Sequence, residues 1–181
     1  MKLKRTFISI VALMLAVCLM PTALAATWYL EDGDITVIAN ENGQSVKQGN
    51  NDAVADSDTV ITQRDSEKAT DNTITVSTTD DATANITIED VNINSYGDAI
   101  DVGSSGANIT LEGDNKLNSE YGSGLHVSDG DVTITGSGSL EAGSKNESNN
   151  NAAIGSHENE AMSGDITIGG DAQVTAVSRD D

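Results

Sequence analysis

The chain has 181 residues, of which 29 are Asp or Glu and only 9 are Lys or Arg, so its formal net charge is −20. Such an acidic chain repels nucleic acid and anionic membrane surfaces, which leaves cations and neutral molecules as the expected partners. Because there is a single cysteine, no disulfide can form within the chain, and the stability of the fold has to come from packing and backbone hydrogen bonds.

Residues 1–25 have the three parts of a secretory signal peptide. Three basic residues, Lys2, Lys4 and Arg5, precede an apolar run over residues 7–20, and residues 23–25 (A-L-A) have the small-x-small pattern of a cleavage site. The apolar run is too short for a membrane span, so we expect no membrane insertion after cleavage. Removal of 1–25 takes away three basic residues and no acidic one, which gives a net charge of −23. The sequence therefore predicts a secreted protein, extracellular or at the cell surface.

Residues 26–71 are mixed in character and are predicted to form an N-terminal entry or cap segment. A short I-T-V-I strand at Ile35–Ile38 precedes two polar stretches, residues 40–53 and 63–72. Both stretches contain few apolar residues and are typical of loops.

From residue 72 to residue 181, one short pattern recurs, in which Asn or Asp precedes alternating aliphatic residues and Thr. Its copies, N-I-T-I, N-I-T-L, D-V-T-I and D-I-T-I, lie at Asn85–Ile88, Asn108–Leu111, Asp131–Ile134 and Asp165–Ile168. The first two intervals are equal, at about 23 residues, and a period in this range is typical of repeat architectures. The last interval is longer, and we assign its surplus to a polar insertion around residues 143–151.

Each repeat can accommodate three short strands. A second apolar position follows the first aliphatic residue of each copy, and a third element follows in the first three repeats, at Ala99–Val102, Gly124–Val127 and Ala153–Ser156. At about 3.3 Å per residue, about 23 residues give a perimeter of about 76 Å, which suits one coil of a parallel β-helix. We therefore predict an all-β fold, a parallel β-helix with three short strands per coil.

The alternation of apolar and polar residues within each strand indicates which side chains point inward. The residues predicted to point inward in the first coil are Ile86, Ile88, Val91, Ile93, Ile100 and Val102.

The last repeat ends at residue 181 with no capping helix or polar closing coil, and open strand edges invite aggregation. This favours the interpretation that the chain is truncated at its C-terminus.

Tyr96 and Tyr121 occupy matching positions in successive repeats. We expect them to stack as a small exposed aromatic ladder. Flat aromatic faces flanked by polar side chains, here Asn92 and Asn118, suit sugar rings, whose C–H faces are apolar. The alternative is that each Tyr only covers the turn before the next inward aliphatic residue.

Clustered carboxylates are the second candidate site. Asp98 and Asp101 are the candidate metal ligands, because calcium binds several carboxylate oxygens and stacked turns bring such groups close together. The alternative is a solvated acidic face. His126 lies between two inward residues and is expected to face solvent, and its separation from His157 is not that of a metal-binding pair.

The sequence does not favour catalysis. A polysaccharide lyase with this fold would need an Arg or Lys base on its outer face, whereas the basic residues after the signal peptide are scattered. They are Lys47, Arg64, Lys68, Lys116, Lys145 and Arg179. We therefore predict that the protein is not an enzyme.

The phrases N-I-T-I-x-D-V-N-I, G-D-A-I-D-V, S-G-L-H-V and G-D-I-T-I-x-G-G, over roughly residues 72–177, resemble repeats in secreted bacterial surface proteins described as carbohydrate-binding domain-containing proteins. Those proteins look like pectate-lyase-type β-helices that bind rather than cleave. The resemblance implies a right-handed coil, a site for Ca²⁺, and a polysaccharide or cell-surface glycan as partner. Relatives commonly carry A-G-I-G-G where this chain has A-A-I-G-S at 152–156.

The leading hypothesis is an extracellular, non-catalytic carbohydrate-binding or adhesin-like module. One alternative is a structural surface stalk without glycan affinity. The other is a fragment of a polysaccharide lyase-like β-helix enzyme.

Overall fold

The structure is a computed structural model that describes residues 26–79, 81–145 and 150–178, and the predicted signal peptide lies outside them. The described residues form 17 β-strands and one short 3-10 helix, Leu30–Asp32. Consecutive strands move from sheet to sheet, so that from residue 74 onward each of three sheets collects every third strand. The fold is a parallel β-helix, as the repeat predicts. In this part of the chain, no helix is long and apolar enough to cross a membrane.

The first sheet contains six parallel strands. In spatial order they are β1 (Thr27–Tyr29), β5 (Thr59–Thr62), β7 (Thr83–Glu89), β10 (Gly106–Glu112), β13 (Val132–Gly136) and β16 (Ile166–Ile168). Like residues stack across the coils, with Ile86, Ile109, Ile134 and Ile168 in one continuous row. Such rows form the apolar column that a single coil could not provide.

The second sheet contains four parallel strands. They are β8 (Asn92–Ser95), β11 (Asp114–Ser119), β14 (Ser139–Ser144) and β17 (Gln173–Ser178). On its outer side, Asn94, Asn118 and Gly143 are partners across three coils.

The third sheet contains seven strands. In spatial order they are β15 (Ile154–Gly155), β12 (Leu125–Val127), β9 (Ile100–Gly103), β6 (Ile74–Thr78), β2 (Ile35–Asn40), β3 (Gly43–Gln48) and β4 (Val54–Ala55). The pairs from β15 to β2 are parallel, whereas β3 and β4 are added antiparallel.

Strand β3 corrects one sequence prediction, because residues 40–53 were expected to form a loop. Gly43–Gln48 instead folds back on β2 as a hairpin, and its single large apolar residue, Val46, pairs with Val37. Both valines are fully buried. One buried side chain and the hairpin hydrogen bonds are sufficient for a strand here, although the composition of the segment is that of a loop.

Strands from residues 27–62 belong to the same sheets as the repeats. β5 pairs with β7 in the first sheet, and β2 pairs with β6 in the third. The apolar interior is therefore continuous from Leu30, through the first complete coil, to Leu140.

The predicted inward residues of the first coil are all buried, with at most 2% of each exposed: Ile86, Ile88, Val91, Ile93, Ile100 and Val102. This prediction is confirmed. The alternation that predicted it works because each strand has one face toward the interior and one toward the outside.

The register between the second and third coils is shifted by two positions from the alignment of the sequence motifs. Ile109 pairs with Ile134 rather than with Val132, and Leu117 pairs with Ala142. A shift by an even number of positions leaves every side chain on its own face. The hydrophobic pattern alone therefore does not distinguish the two registers.

The long last interval contains two insertions rather than one. The segment from Ala142 to Ile154 is longer than the equivalent segment of the preceding coil, from Leu117 to Leu125. Similarly, the segment from Ile154 to Ile168 is longer than its equivalent, from Leu125 to Ile134. The predicted insertion around residues 143–151 therefore accounts for only part of the surplus, and the remainder lies after β15, in the loop 156–165.

Candidate functional site

Tyr96 and Tyr121 form a pair of contacting rings, tilted to each other, on neighbouring coils. The backbone N–H of Tyr121 donates to the carbonyl of Tyr96 at 2.9 Å, which fixes the two residues side by side. The ring centroids lie 4.4 Å apart with 37° between the ring planes, and 71% of Tyr96 and 47% of Tyr121 are exposed. The expected exposed ladder is therefore present, and we call it the tyrosine ladder.

The outer face of the second sheet leads to this ladder. Asn118 lies three positions before Tyr121, and its neighbour Asn94 accepts a hydrogen bond from Nζ of Lys145. A Cβ atom on Gly143 would lie 2.6 Å from Oδ1 of Asn118, so the glycine leaves space for that amide. The strip beside the ladder is thus lined with amide and ammonium groups.

Asn92 lies at the far end of the same face. Its side-chain Nδ2 donates to the carbonyl of Ser66 at 2.9 Å. The extended strand from Asn92 to Tyr96 covers a distance of about 13 Å. Asn92 lines an open depression of about 390 Å³ together with Ser66, Glu67, Asp90, Asp114 and Lys116. The structure therefore brings Asn118 closer to the tyrosine ladder than Asn92.

Two histidines and three carboxylates converge on the outer side of the third sheet. His126 lies between two acids, with Nδ1 2.8 Å from Oδ1 of Asp101 and Nε2 2.8 Å from Oε2 of Glu160. Nε2 of His157 lies 2.8 Å from Oδ1 of Asp98, and the two imidazole rings are stacked with centroids 4.0 Å apart. We call these five residues the histidine cluster.

The sheet register and the second insertion together build the cluster. Asp101, His126 and Gly155 are partners on three neighbouring strands. Gly155 has a φ of 131°, which side-chain-bearing residues rarely adopt, and after it the loop 156–165 folds across His126, where Glu160 meets the ring. The loop is held in shape by the carboxylate of Glu160, whose Oε2 accepts the backbone N–H of His157 at 3.2 Å.

The expectation that His126 faces solvent is wrong. Only 7% of the residue is exposed, although its partner Asp101 keeps 46% of its side chain exposed on the same outer row. Alternation specifies the face of a sheet on which a side chain lies. It gives no information about a later loop that covers that face.

The charges around His126 determine its pKa. Burial lowers the pKa, but hydrogen bonds to Glu160 and Asp101 and the negative charges of Asp98 and Asp101 outweigh it, so that the pKa is raised. In the other partner, the hydrogen bond from His126 lowers the pKa of Glu160, with a smaller contribution from the backbone N–H of His157. Both shifts favour the charged pair.

Three members of the cluster have donor atoms placed for a metal ion. One atom each from Asp98, His126 and His157 lies within 4.8 Å of the other two. The two residues predicted as metal ligands from the sequence, Asp98 and Asp101, are both in the cluster, with His126 next to each of them.

Asp98 connects the cluster to the backbone of the next coil. Its Oδ1 accepts the N–H of Ser123 at 2.6 Å. A Cβ on Gly122 would lie 2.4 Å from the same carboxylate oxygen, so this glycine makes the close approach possible. Asp98 also follows closely after Tyr96 in the chain, which places the tyrosine ladder and the histidine cluster at the same corner of the helix.

Sequence reasoning missed His157 and Glu160 as site residues. The signal available was the length of the loop after β15, which is longer than its equivalent in the preceding coil. A polar insertion that contains His and Glu and follows directly after a strand is a candidate for covering the neighbouring outer row.

Comparison of the chain with protein-family models, with curated proteins and with solved structures found no match. The resemblance to carbohydrate-binding surface proteins therefore stays an expectation, and the function rests on the geometry of these two sites.

Proposed function

We propose that this protein is a secreted, non-catalytic glycan-binding module of the adhesin-like kind, which holds polysaccharide at the tyrosine ladder. The observation that carries the proposal is the exposure of Tyr96 and Tyr121 as a pair of adjacent, tilted rings, with ring centroids 4.4 Å apart. Exposed clusters of large apolar side chains mark interaction surfaces more often than isolated ones do.

The chemistry of the ladder suits sugars. Tyrosine rings offer flat apolar faces to the C–H faces of a pyranose, and their hydroxyl groups remain free to hydrogen-bond. The neighbouring amides of Asn94 and Asn118 and the ammonium group of Lys145 would pair with sugar hydroxyls. Because the chain is strongly acidic, neutral polysaccharides are favoured over acidic ones.

The lyase alternative needs an Arg or Lys base at the site. Arg64 is engaged elsewhere, since its guanidinium makes two hydrogen bonds of 2.9 and 2.7 Å to Asp32 and lies 4.2 Å from the ring centre of Tyr29. These contacts make Arg64 a clamp between residues 29–32 and the segment after β5, so Arg64 is not available as such a base. The lysine beside the ladder, Lys145, donates to Oδ1 of Asn94.

The test is retention of the protein on a panel of insoluble neutral and acidic polysaccharides, compared with a Tyr96→Ala, Tyr121→Ala double variant. We expect retention on one class of glycan, weakened at least about tenfold in the double variant, which is equivalent to about 1.4 kcal/mol. The matched control is Val54→Ala, because Val54 is also an exposed apolar residue, 55% exposed, but lies in β4.

Two results would contradict the proposal. If the folded protein is retained by no glycan, the surface-stalk hypothesis takes its place. If retention is unchanged in the double variant, the tyrosines only cover the turns after β8 and β11.

A further inference from the structure

We propose that the histidine cluster is a binding site for a first-row transition-metal cation of the Zn²⁺ class, with Asp98, His126 and His157 as ligands. The inference concerns a site separate from the tyrosine ladder and does not depend on glycan binding.

The distances between the donor atoms suit such an ion. Nδ1 of His126 lies 3.8 Å from Oδ2 of Asp98, and Nε2 of His157 lies 2.8 Å from the other oxygen of the same carboxylate. Metal–ligand bonds of about 2.0–2.2 Å in a tetrahedral site place the donor atoms about 3.3 Å apart. The observed separations lie on both sides of this value. Because the two rings are stacked within 7° of parallel, one ring has to rotate out of the stack before both nitrogens can point at the same ion.

Asp101 is placed to complete the coordination. Its Oδ1 lies 2.8 Å from the same Nδ1 of His126 that faces Asp98. The site would then have two imidazole nitrogens and two carboxylate oxygens, contributed by the turn after Tyr96, by β9, by β12 and by the loop 156–165.

Two ligands of the cluster have the supporting contacts that metal ligands usually have. Metal-bound histidines usually donate their second ring N–H to a carboxylate, which fixes the tautomer. Nε2 of His126 lies 2.8 Å from Glu160, on the side of the ring opposite the donor nitrogen. The carboxylate of Asp98 is fixed by the N–H of Ser123.

The ligand types select the metal. Calcium prefers a shell made only of oxygen atoms, whereas imidazole suits Zn²⁺, Cu²⁺, Ni²⁺ and Fe²⁺. The proposal therefore departs from the calcium that the resemblance implies.

The experiment is calorimetric titration of the chelator-treated protein with Zn²⁺, repeated with Co²⁺ to observe its visible absorption. We expect one equivalent of Zn²⁺ to bind, with Ca²⁺ in excess unable to displace it. His157→Gln should remove this binding; the side chain of His157 is 35% exposed, so the variant should keep its fold, which circular dichroism would check. Glu160→Gln should weaken binding by about 10–100-fold, as for other residues that orient a ligand.

The matched control is Asp171→Asn, which removes one carboxylate from an exposed turn outside the cluster and should leave Zn²⁺ affinity unchanged. The proposal is overturned if no saturable Zn²⁺ binding occurs, if folded His157→Gln binds Zn²⁺ as tightly as the parent protein, or if Ca²⁺ competes. The readout is metal binding itself, so its failure is distinguishable from a failure of glycan retention.

Discussion

The imidazole rings of His126 and His157 lie face to face, 4.0 Å apart and within 7° of parallel, although they belong to different coils of the chain. The contact depends on the loop 156–165, which returns across β12 after the short strand β15. Each ring also contacts a carboxylate at 2.8 Å. A repeat with the regular length would place only one of these histidines at this corner.

In the metal-free protein, the cluster should make stability depend on pH. A group whose pKa is higher in the folded than in the unfolded state stabilises the fold at low pH and loses that contribution as the pH rises through its folded pKa. The pKa of His126 is raised from 6.5 by the acids that face it, Glu160, Asp101 and Asp98, against the effect of burial. The free energy of unfolding should therefore fall as the pH is raised from about 6.5, the ordinary pKa of histidine, through the raised folded-state pKa of His126.

Glu160 has the opposite pH dependence, because its pKa is lowered in the folded state. Its contribution to the stability of the fold is lost as the pH falls through its folded pKa. The cluster should stabilise the protein most between these two transitions. The measurement is denaturant unfolding of chelator-treated protein over a pH series. In Glu160→Gln the high-pH loss should be smaller and complete at lower pH, since one acid that raises the folded-state pKa of His126 is gone. Identical pH profiles for the two proteins would refute this assignment.

Most of the fold could be predicted from the sequence because the repeat encodes it directly. Alternating aliphatic residues at a near-constant interval specify short strands, and stacking of coils is what buries them. The register shift at Ile134 could not be predicted, because both registers keep the same side chains inside. The hairpin strand β3 was missed since it has only Val46 to mark it.

The sequence revealed the tyrosine ladder better than it revealed the histidine cluster. Tyr96 and Tyr121 could be paired because they follow equivalent strands in two regular coils. The environment of His126 could not be predicted, since it depends on where the loop with His157 and Glu160 folds back. No periodic signal specifies the path of an insertion.

The row Ile86, Ile109, Ile134 and Ile168 offers a matched test of the interior. Ile109 is 1% exposed and Ile168 is 52% exposed, although both occupy the same register position. Ile109→Ala should destabilise the protein by about 2–5 kcal/mol. Ile168→Ala should cost less than about 1 kcal/mol, because half of the side chain is already in water. Equal costs in chemical denaturation would contradict the assigned interior.

Close packing between turns can be tested at Gly130. A Cβ atom there would lie 1.8 Å from the carbonyl oxygen of Ser105, so backbone has to move. We expect Gly130→Ala to lower stability by about 1–3 kcal/mol or more. The control is Gly169→Ala, whose Cβ would meet only a methyl group of Thr135 at 3.9 Å. That change should be neutral or stabilise by up to about 1 kcal/mol, and thermal unfolding of both variants would decide.

The most direct test of glycan binding at the tyrosine ladder uses the small number of tyrosines. The chain contains three, Tyr29, Tyr96 and Tyr121, so ¹³C-labelled tyrosine gives three sets of ring signals in an NMR spectrum. On addition of soluble oligosaccharides from the retained glycan, the signals of Tyr96 and Tyr121 should shift together and saturate. The signal of Tyr29, which packs against Arg64, should stay in place. If all three signals stay in place while the glycan binds, or if only Tyr29 responds, the ladder is not the binding site.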